Sequence, residues 1–470
     1  LGKFLPVFKS NSATLKMQGA EVRRPSVYIE TFGCQMNVAD SERAATRLRA
    51  SGYELSDSDN SADVIILNTC SVREKAEQKV FHRISEIKRD RPGRQPLIGV
   101  MGCVAQLEGD AIFNTSSSVQ LVIGTGATDR IPQLIERVLG GERRLLDTDR
   151  RRETEVYDIS PMERRSKHIA FVPIIEGCNK FCTYCIVPFS RGRERSRSAS
   201  EIVDEVKGLI VQGFQEVHLL GQNVNSYRPQ TESGLESFQG ATPFSRLLRA
   251  VASTGMPRIK FTTSFPRDFH ADIVRAIEEH ENLCNWVHLP VQSGNNRILR
   301  MMRRGHKIED YLEKISFVKN ARRRIALTSD IILGFPGETT EEFEDTLKLV
   351  RDCRFHGLYI FKYSPRRRTP AAKLTDTVST AEKARRFLAL EELQMSIQKE
   401  IFQDYIGSEV EVLVEGFSAR SEKDLKGHTT CHKVINFGAD AELFGKILKV
   451  RVTESKSHSL YGEVLSPLRG

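Results

Sequence analysis

The chain has no apolar run of about 18 residues, the length a membrane-spanning helix needs, although it is 470 residues long. It has little cysteine: nine residues in all, far below the density of a disulfide scaffold. The count is odd, so complete pairing is excluded. An acidic surplus is also missing, because 70 Lys and Arg face 61 Asp and Glu, for a net charge of +9. Hydrophobic residues make up 39% and charged residues 28%, the balance of a globular chain. The length suits about three domains. The chain opens on Leu1, and its first 24 residues carry Lys3, Lys9, Lys16, Arg23 and Arg24 against Glu21. They read as a loose basic leader, without the apolar core of about 7–15 residues that marks a signal peptide.

What is present is a set of nine thiols and a localised basic surplus. Residues 1–24 carry +4, residues 25–142 carry −3, residues 143–398 carry +9 and residues 399–470 carry −1. The arginines cluster at Arg150, Arg151 and Arg152, at Arg164 and Arg165, along 191–197, at Arg322, Arg323 and Arg324, and at Arg366, Arg367 and Arg368. Such clusters suit a polyanion such as nucleic acid, or else a solvated surface.

Residues 27–139 alternate continuous apolar strands (27–34, 64–70, 97–103 and 121–124) with helical periodicity near 38–50, 73–88 and 131–139. That pattern predicts a parallel sheet covered on both faces. Cys34, Cys70 and Cys103 end three of the strands. In a parallel sheet those ends share one edge, where open α/β folds build their sites. Three thiolates there suit an iron–sulfur cluster, with zinc as the alternative.

Residues 143–163 read as an Arg-rich linker. Six further strand–helix units follow, with strands at 170–175, 216–220, 258–262, 286–290, 327–333 and 358–363, and a long helix over 380–405. This order predicts a partial (β/α)6 barrel with its chemistry at the carboxyl ends of the strands. Short alternating segments at 409–415, 446–452 and 459–464 predict a small antiparallel β-barrel over 399–470.

Directly after the first strand of the second series stands Cys178-Asn179-Lys180-Phe181-Cys182-Thr183-Tyr184-Cys185. Three closely spaced thiolates leave one iron of a [4Fe-4S] cube without a protein ligand, whereas a structural zinc site closes with four. The spacing C-x3-C-x2-C matches the radical S-adenosylmethionine signature. The flanks extend the likeness: Gly33-Cys34-Gln35-Met36-Asn37, Asn68-Thr69-Cys70-Ser71-Val72-Arg73-Glu74-Lys75 and 188–197. From residue 25 to its end the chain resembles the radical S-adenosylmethionine methylthiotransferase family, and within it the tRNA-modifying branch. Ser71 and the following Arg-Glu-Lys differ from the ribosomal-protein branch, which typically has Gly after that cysteine.

The resemblance implies a flavodoxin-like methylthiotransferase domain over 25–142, a radical barrel over 164–398 and a TRAM domain over 399–470. It implies two [4Fe-4S] clusters, one on Cys178, Cys182 and Cys185 and an auxiliary one on Cys34, Cys70 and Cys103. S-adenosylmethionine would serve as radical source and methyl donor. Tyr184, Gln222, Asn223, Gln292, Ser293, Gly334 and Glu338 are the expected cofactor contacts. Arg191, Arg193, Arg195, Arg197 and Arg368 are candidates for RNA contact. The expected reaction is methylthiolation at C2 of N6-dimethylallyladenosine at position 37, in the tRNA anticodon loop. The radical would take hydrogen from C2, the auxiliary cluster would supply or carry sulfur, and a second S-adenosylmethionine would methylate that sulfur. A flavodoxin or ferredoxin would donate electrons; the sulfur donor stays open. A monomer in the bacterial cytoplasm is expected, with a mitochondrial setting as the alternative. The rival readings are a methylthiotransferase for threonylcarbamoyl-adenosine or a ribosomal protein, and a non-catalytic iron–sulfur RNA-binding protein.

Two positions depart from the family pattern. Arg368 precedes Thr369-Pro370-Ala371-Ala372 where a Gly-Thr pair is usual, and Gly427-His428-Thr429 replaces Gly-Arg-Thr. Cys284, Cys353 and Cys431, together with His82 and His218, read as ordinary structural residues.

Overall fold

The computed structural model describes residues 16–17, 20–21, 24–71, 74–91, 93, 95–150, 159–160, 163–419 and 421–467. Most of the expected leader and residues 151–158 and 161–162 of the expected linker lie outside these. Contacts divide the chain into two compact units, Leu1–Arg165 and Ser166–Gly470.

The first unit holds a six-stranded sheet: β1 (Ser26–Phe32), β2 (Glu54–Leu55), β3 (Val64–Thr69), β4 (Leu97–Gly102), β5 (Val119–Ile123) and β6 (Leu145–Asp147). The order is β2-β1-β3-β4-β5-β6, and every pairing is parallel. This is the flavodoxin-like order. Helices α1 (Gln35–Ala50), α2 (Glu74–Asp90), α3 (Cys103–Glu108), α4 (Ala111–Thr115) and α5 (Ile131–Leu139) lie between the strands. Strand side chains alternate between faces. Val64 and Ile66 enter one core with Leu121 and Ile123, while Ile65 and Leu67 enter the other with Ile98 and Val100. Both faces are dry, which is why the strands read as unbroken apolar runs.

The expected linker is corrected at its two ends. Residues 145–147 form β6 beside β5, and Leu145 is buried. At the other end Ser160 N donates to Thr46 Oγ1 and Arg165 N to Glu42 Oε1. Arg49 pairs with Glu163 at 2.5 Å. Two apolar residues in an Arg-rich stretch are too weak a pattern to announce a strand.

The second unit begins with β7 (Ile169–Pro173), β8 (Ile175–Glu176), α6 (Val187–Arg191), β9 (Arg195–Ser196) and α7 (Ala199–Val211). Then come β10 (Glu216–Leu220), α8 (Pro243–Ala252), β11 (Arg258–Phe261), α9 (Ala271–Glu279), β12 (Trp286–His288), α10 (Asn296–Met301) and α11 (Ile308–Lys319). The last barrel elements are β13 (Ala326–Leu333), α12 (Thr340–Cys353), β14 (Gly357–Lys362) and α13 (Thr380–Gln403). Parallel pairing gives β7-β10-β11 and β12-β13-β14, and the bridge Ile259–Leu283 joins the two halves. The result is an open six-stranded barrel wall, as the six strand–helix units predict.

The C-terminal barrel closes over β15 (Glu409–Ser418), β16 (Ser421–Thr429), β17 (Val434–Gly438), β18 (Ile447–Ser455) and β19 (Leu460–Pro467). Four pairings are antiparallel and the fifth, β17 with β19, is parallel, so the expected all-antiparallel barrel is corrected at one seam. Strand β16, Ser-Glu-Lys-Asp-Leu-Lys-Gly-His-Thr, carries almost no apolar alternation, and backbone pairing on both sides makes it a strand. No helix among the described residues is long and apolar enough to cross a membrane.

Candidate active site

In the first unit, Phe32 pairs with Thr69 and Thr69 with Gly102. Those three residues therefore stand in one row across neighbouring strands, about 4.8 Å apart. Cys34 follows two residues after the row, and Cys70 and Cys103 one residue after it. Buried amides tie the row together. Asn37 Nδ2 donates to Asn68 Oδ1 at 2.9 Å and to Thr69 O at 3.0 Å, and Asn68 Nδ2 returns bonds to Asn37 O and Ser41 Oγ. Gly102 has φ +96°, and a Cβ there would stand 2.6 Å from Thr69 O. Only glycine lets β4 end that close to β3. Cys34 is exposed, while Cys70 and Cys103 are buried. Beside Cys70, the buried Ser71 Oγ has no hydrogen-bond partner. Val72 and Arg73 of the quoted flank lie outside the described residues.

In the second unit, the short hairpin β8–β9 pairs Glu176 with Arg195 and pinches the ends of the loop 177–194. Gly177 has φ +76°, and a Cβ would collide with Arg193 O at 2.1 Å. Cys178 N donates to Gly192 O. Farther on, Thr183 N and Oγ1 bond Met302 O and Met301 O at the end of α10, and Ala371 N donates to Thr183 O. Cys178, Cys182 and Cys185 thus sit on a loop held at both ends, at the carboxyl end of the barrel wall.

Two side-chain N–H groups reach the sulfurs, beside the backbone N–H groups of Lys180 at Cys178 and Val187 at Cys185. Asn223 Nδ2 donates to Cys178 Sγ at 3.1 Å, and Arg304 Nη1 to Cys182 Sγ at 3.5 Å. Arg304 is buried, bonds Pro290 O at 2.6 Å and lies over the Phe265 ring at 4.5 Å. Burial raises the Cys178 thiol, and burial with the neighbouring Cys182 pushes Cys185 up to about 12. As free thiols they stay protonated at neutral pH, and a bound metal ionises a coordinating thiol outright. Three thiols and two side-chain N–H donors to sulfur, one of them a buried guanidinium, fit an anionic thiolate cluster. Arg304 Nε, Gln222 Oε1, Thr262 Oγ1 and Ser264 Oγ are buried without a partner, which leaves polar capacity for a ligand. Thr263 and Gln292, at the ends of β11 and β12, have φ +71° and +79°. Such strain in a β-branched residue and a glutamine marks a constrained site.

The other expected contacts divide. Tyr184 is partly buried beside Met302, Phe335 and Tyr363, and burial holds its phenol well above the usual range. Ser293 is fully buried, and its Oγ accepts from Asn295 N. Gly334 and Glu338 also make contacts within the fold, while Glu338 Oε1 is buried without a partner. A Cβ at Gly334 would meet Lys383 Cγ at 2.4 Å. Glu338 Oε2 accepts from Gly334 N and from Arg386 Nη1, each at 2.7 Å.

The arginine candidates divide as well. Arg195 pairs with Glu176 at 3.4 Å, and Arg197 with Glu205 at 2.7 Å and Pro173 O at 2.9 Å. Arg191 is partly buried at the end of α6. Arg193 and Arg368 are exposed, the latter with φ +71°. Of the other clusters, Arg322, Arg323 and Arg324 bond Glu278, Ile277 O with His280 O, and Asp404.

Sequence reading missed Arg304, whose neighbours Arg303 and Gly305 both have positive φ. An arginine inside Met-Met-Arg-Arg-Gly looks like any other. Arg304→Lys should slow 5′-deoxyadenosine formation by about tenfold or more, the usual loss when a partner of a metal ligand is altered. Chromatographic quantification of that product, beside an unchanged circular dichroism spectrum, is the check.

A cysteine triad of this spacing at the carboxyl end of an open parallel barrel defines a radical S-adenosylmethionine enzyme. Residues 172–350 match the radical SAM superfamily, residues 403–465 the TRAM domain, and residues 26–124 the uncharacterized protein family UPF0004. The chain is 45% identical over 445 residues to the tRNA-2-methylthio-N(6)-dimethylallyladenosine synthase of Solibacter usitatus, covering 93% of this chain and 97% of the relative. It is 42% identical over 446 residues to the synthase of the same name from Aquifex aeolicus, covering 94% and 99%. The chain belongs to the tRNA-2-methylthio-N(6)-dimethylallyladenosine synthase family and is a radical SAM tRNA methylthiotransferase. The barrel is also similar in fold to a radical SAM methyltransferase, TsrM, from Kitasatospora setae, with TM-score 0.55 and 14% identity over 74% of this chain and 77% of that one.

Proposed function

We propose that this enzyme methylthiolates C2 of N6-dimethylallyladenosine at position 37 of tRNA, using two [4Fe-4S] clusters. The observation that carries the reading is the pair of cysteine triads, each set by backbone pairing at the carboxyl end of a parallel sheet. When bound, the clusters and S-adenosylmethionine supply the hydrogen-abstracting radical, the sulfur and the methyl group. The protein's part is placement. Cys178, Cys182 and Cys185 hold one cluster; Asn223 and Arg304 orient its sulfurs and offset their charge. Cys34, Cys70 and Cys103 hold the other, in a row fixed by Asn37 and Asn68. Gln222, Gln292 and Ser293 supply polar contacts for the methionine and nucleoside groups. Glu338 and Gly334 act one step away, by fixing the loop after β13.

A base must leave its stack to be reached in such a site, and an anticodon-loop base is already unpaired. Phe181 and Phe189, exposed beside the cluster loop, offer faces for a base, and Arg193 and Arg368 offer charge for phosphates. The double variant Arg193→Ala, Arg368→Ala should weaken tRNA binding and flatten its salt dependence by up to about one logarithmic unit per lost phosphate contact. Arg195→Ala should leave that slope unchanged, because its guanidinium serves Glu176. Filter binding across a salt series measures both. A low-potential flavoprotein or ferredoxin in the bacterial cytoplasm is the natural electron source for a monomer of this kind.

Nucleoside mass analysis of tRNA from a strain deleted for the enzyme tests the substrate. The 2-methylthio mark on prenylated adenosine should vanish and the unthiolated nucleoside accumulate. Persistence of the mark would refute the assignment.

A further inference from the structure

At the opposite, amino end of the barrel wall, three imidazoles meet on one carboxylate. Glu216 is the first residue of β10, and His218, two residues on, shares its face. His428 comes from β16, and His432 from the turn after it, where φ is +57°. The Nε2 atoms of His218, His428 and His432 lie 2.5, 3.1 and 3.4 Å from Glu216 Oε1. One ligand atom each from Glu216, His218 and His432 falls within 4.8 Å of the others. The side chains of Glu216, His218 and His428 are 0%, 6% and 5% exposed. We propose that Glu216, His218 and His432 bind one divalent metal ion of the zinc class, which staples the C-terminal β-barrel to the radical barrel.

The donor set is two imidazoles and one carboxylate, a three-ligand zinc set that leaves the fourth position open. His428 places Nε2 on Glu216 and Nδ1 on Glu415. His428 thus holds the Glu216 ligand in place from outside the metal group, as outer hydrogen-bond partners of a ligating carboxylate do. His432 Nε2 is buried and has no hydrogen-bond partner, an arrangement that costs free energy unless something accepts its lone pair. The cations Arg258 and Lys260 also face this carboxylate. Glu411 and Glu415 stand beside them, and Lys426 Nζ lies 3.4 Å from Glu415. Arg258 already spans the same junction, donating to His428 O and Thr429 O at 3.1 and 2.8 Å. One ligand lies more than two hundred residues after the other two, so no local spacing reveals the set, and His218 alone reads as structural. The site is separate from both cysteine triads and uses no thiol.

The test uses the full chain with both cluster sites loaded anaerobically with iron and sulfide. It is dialysed against micromolar zinc, after which zinc is counted by mass spectrometry and its ligands are read by zinc-edge X-ray absorption. The expected result is about one zinc per chain, with a nitrogen and oxygen shell at about 2.0–2.1 Å and imidazole scattering. His218→Ala and His432→Ala should each weaken retention by about tenfold or more, with iron unchanged. Because either alanine variant can disturb the junction, His432→Gln gives a second readout. A chelator should lower the thermal midpoint of the zinc-loaded parent and leave that of His432→Gln unmoved. No bound zinc, a sulfur shell near about 2.3 Å, or equal zinc in parent and variants would overturn the proposal.

Discussion

Cys178→Ala is expected to abolish 5′-deoxyadenosine formation, and methylthiolation with it. The cysteine is the first of three ligands on a loop pinched by β8 and β9, and its sulfur receives the Asn223 amide at 3.1 Å. With two thiols a cube has two unliganded irons and is no longer held against the barrel. The loop keeps its own anchors, because Cys178 contributes its backbone N–H to Gly192 O whatever its side chain. The fold should therefore survive, with thermal unfolding close to the parent's, while product falls to background. Reconstituted iron should drop from about eight to about four per chain, at four irons per cube. Wild-type levels of 5′-deoxyadenosine from this variant would remove the radical role from the 178–185 loop.

Cys70→Ala should separate the two halves of the reaction. Cys70 stands at the end of β3, beside Gly33, where a Cβ would come 2.7 Å from Cys70 Cβ. Its loss takes the middle ligand from the row of three strand ends. The Asn37–Asn68 bonds run between the two amides and to Thr69 O, Asn37 O and Ser41 Oγ, so the cost in stability should be about 1 kcal/mol. Cleavage of S-adenosylmethionine belongs to the other unit and should continue. Methylthio transfer should stop, and iron should again fall by about four per chain. A variant that still transfers the methylthio group would take the sulfur role away from the first unit.

The parts of this arrangement that sequence reveals are those where one local pattern decides. Unbroken apolar runs such as 64–67 could only be strands covered on both faces, and the cysteine after each run marked the shared edge. The six strand–helix units of the second unit were legible for the same reason. Strands β6 and β16 were not, because three residues in an arginine-rich stretch and a polar nonapeptide carry no period. They exist through pairing with neighbours distant in sequence. The site followed the same division. C-x3-C-x2-C announces itself, whereas Arg304 gains its place from a loop more than a hundred residues after Cys182. Charge was the least reliable guide. Arg197 and Arg323, in basic clusters, bond carboxylates or carbonyls within the fold, whereas the Arg322 side chain is 80% exposed. Gly334 packs against Lys383, and Arg386 takes one oxygen of Glu338, leaving Oε1 buried without a partner.

The central claim is the chemistry at one atom of one base. The reconstituted full chain, given reductant, S-adenosylmethionine and a tRNA carrying N6-dimethylallyladenosine at position 37, should yield 2-methylthio-N6-dimethylallyladenosine on nucleoside mass analysis. The same tRNA without the prenyl group should give little or none. A methylthio group found on threonylcarbamoyl-adenosine instead, or 5′-deoxyadenosine produced with no thiolated nucleoside, would contradict the account.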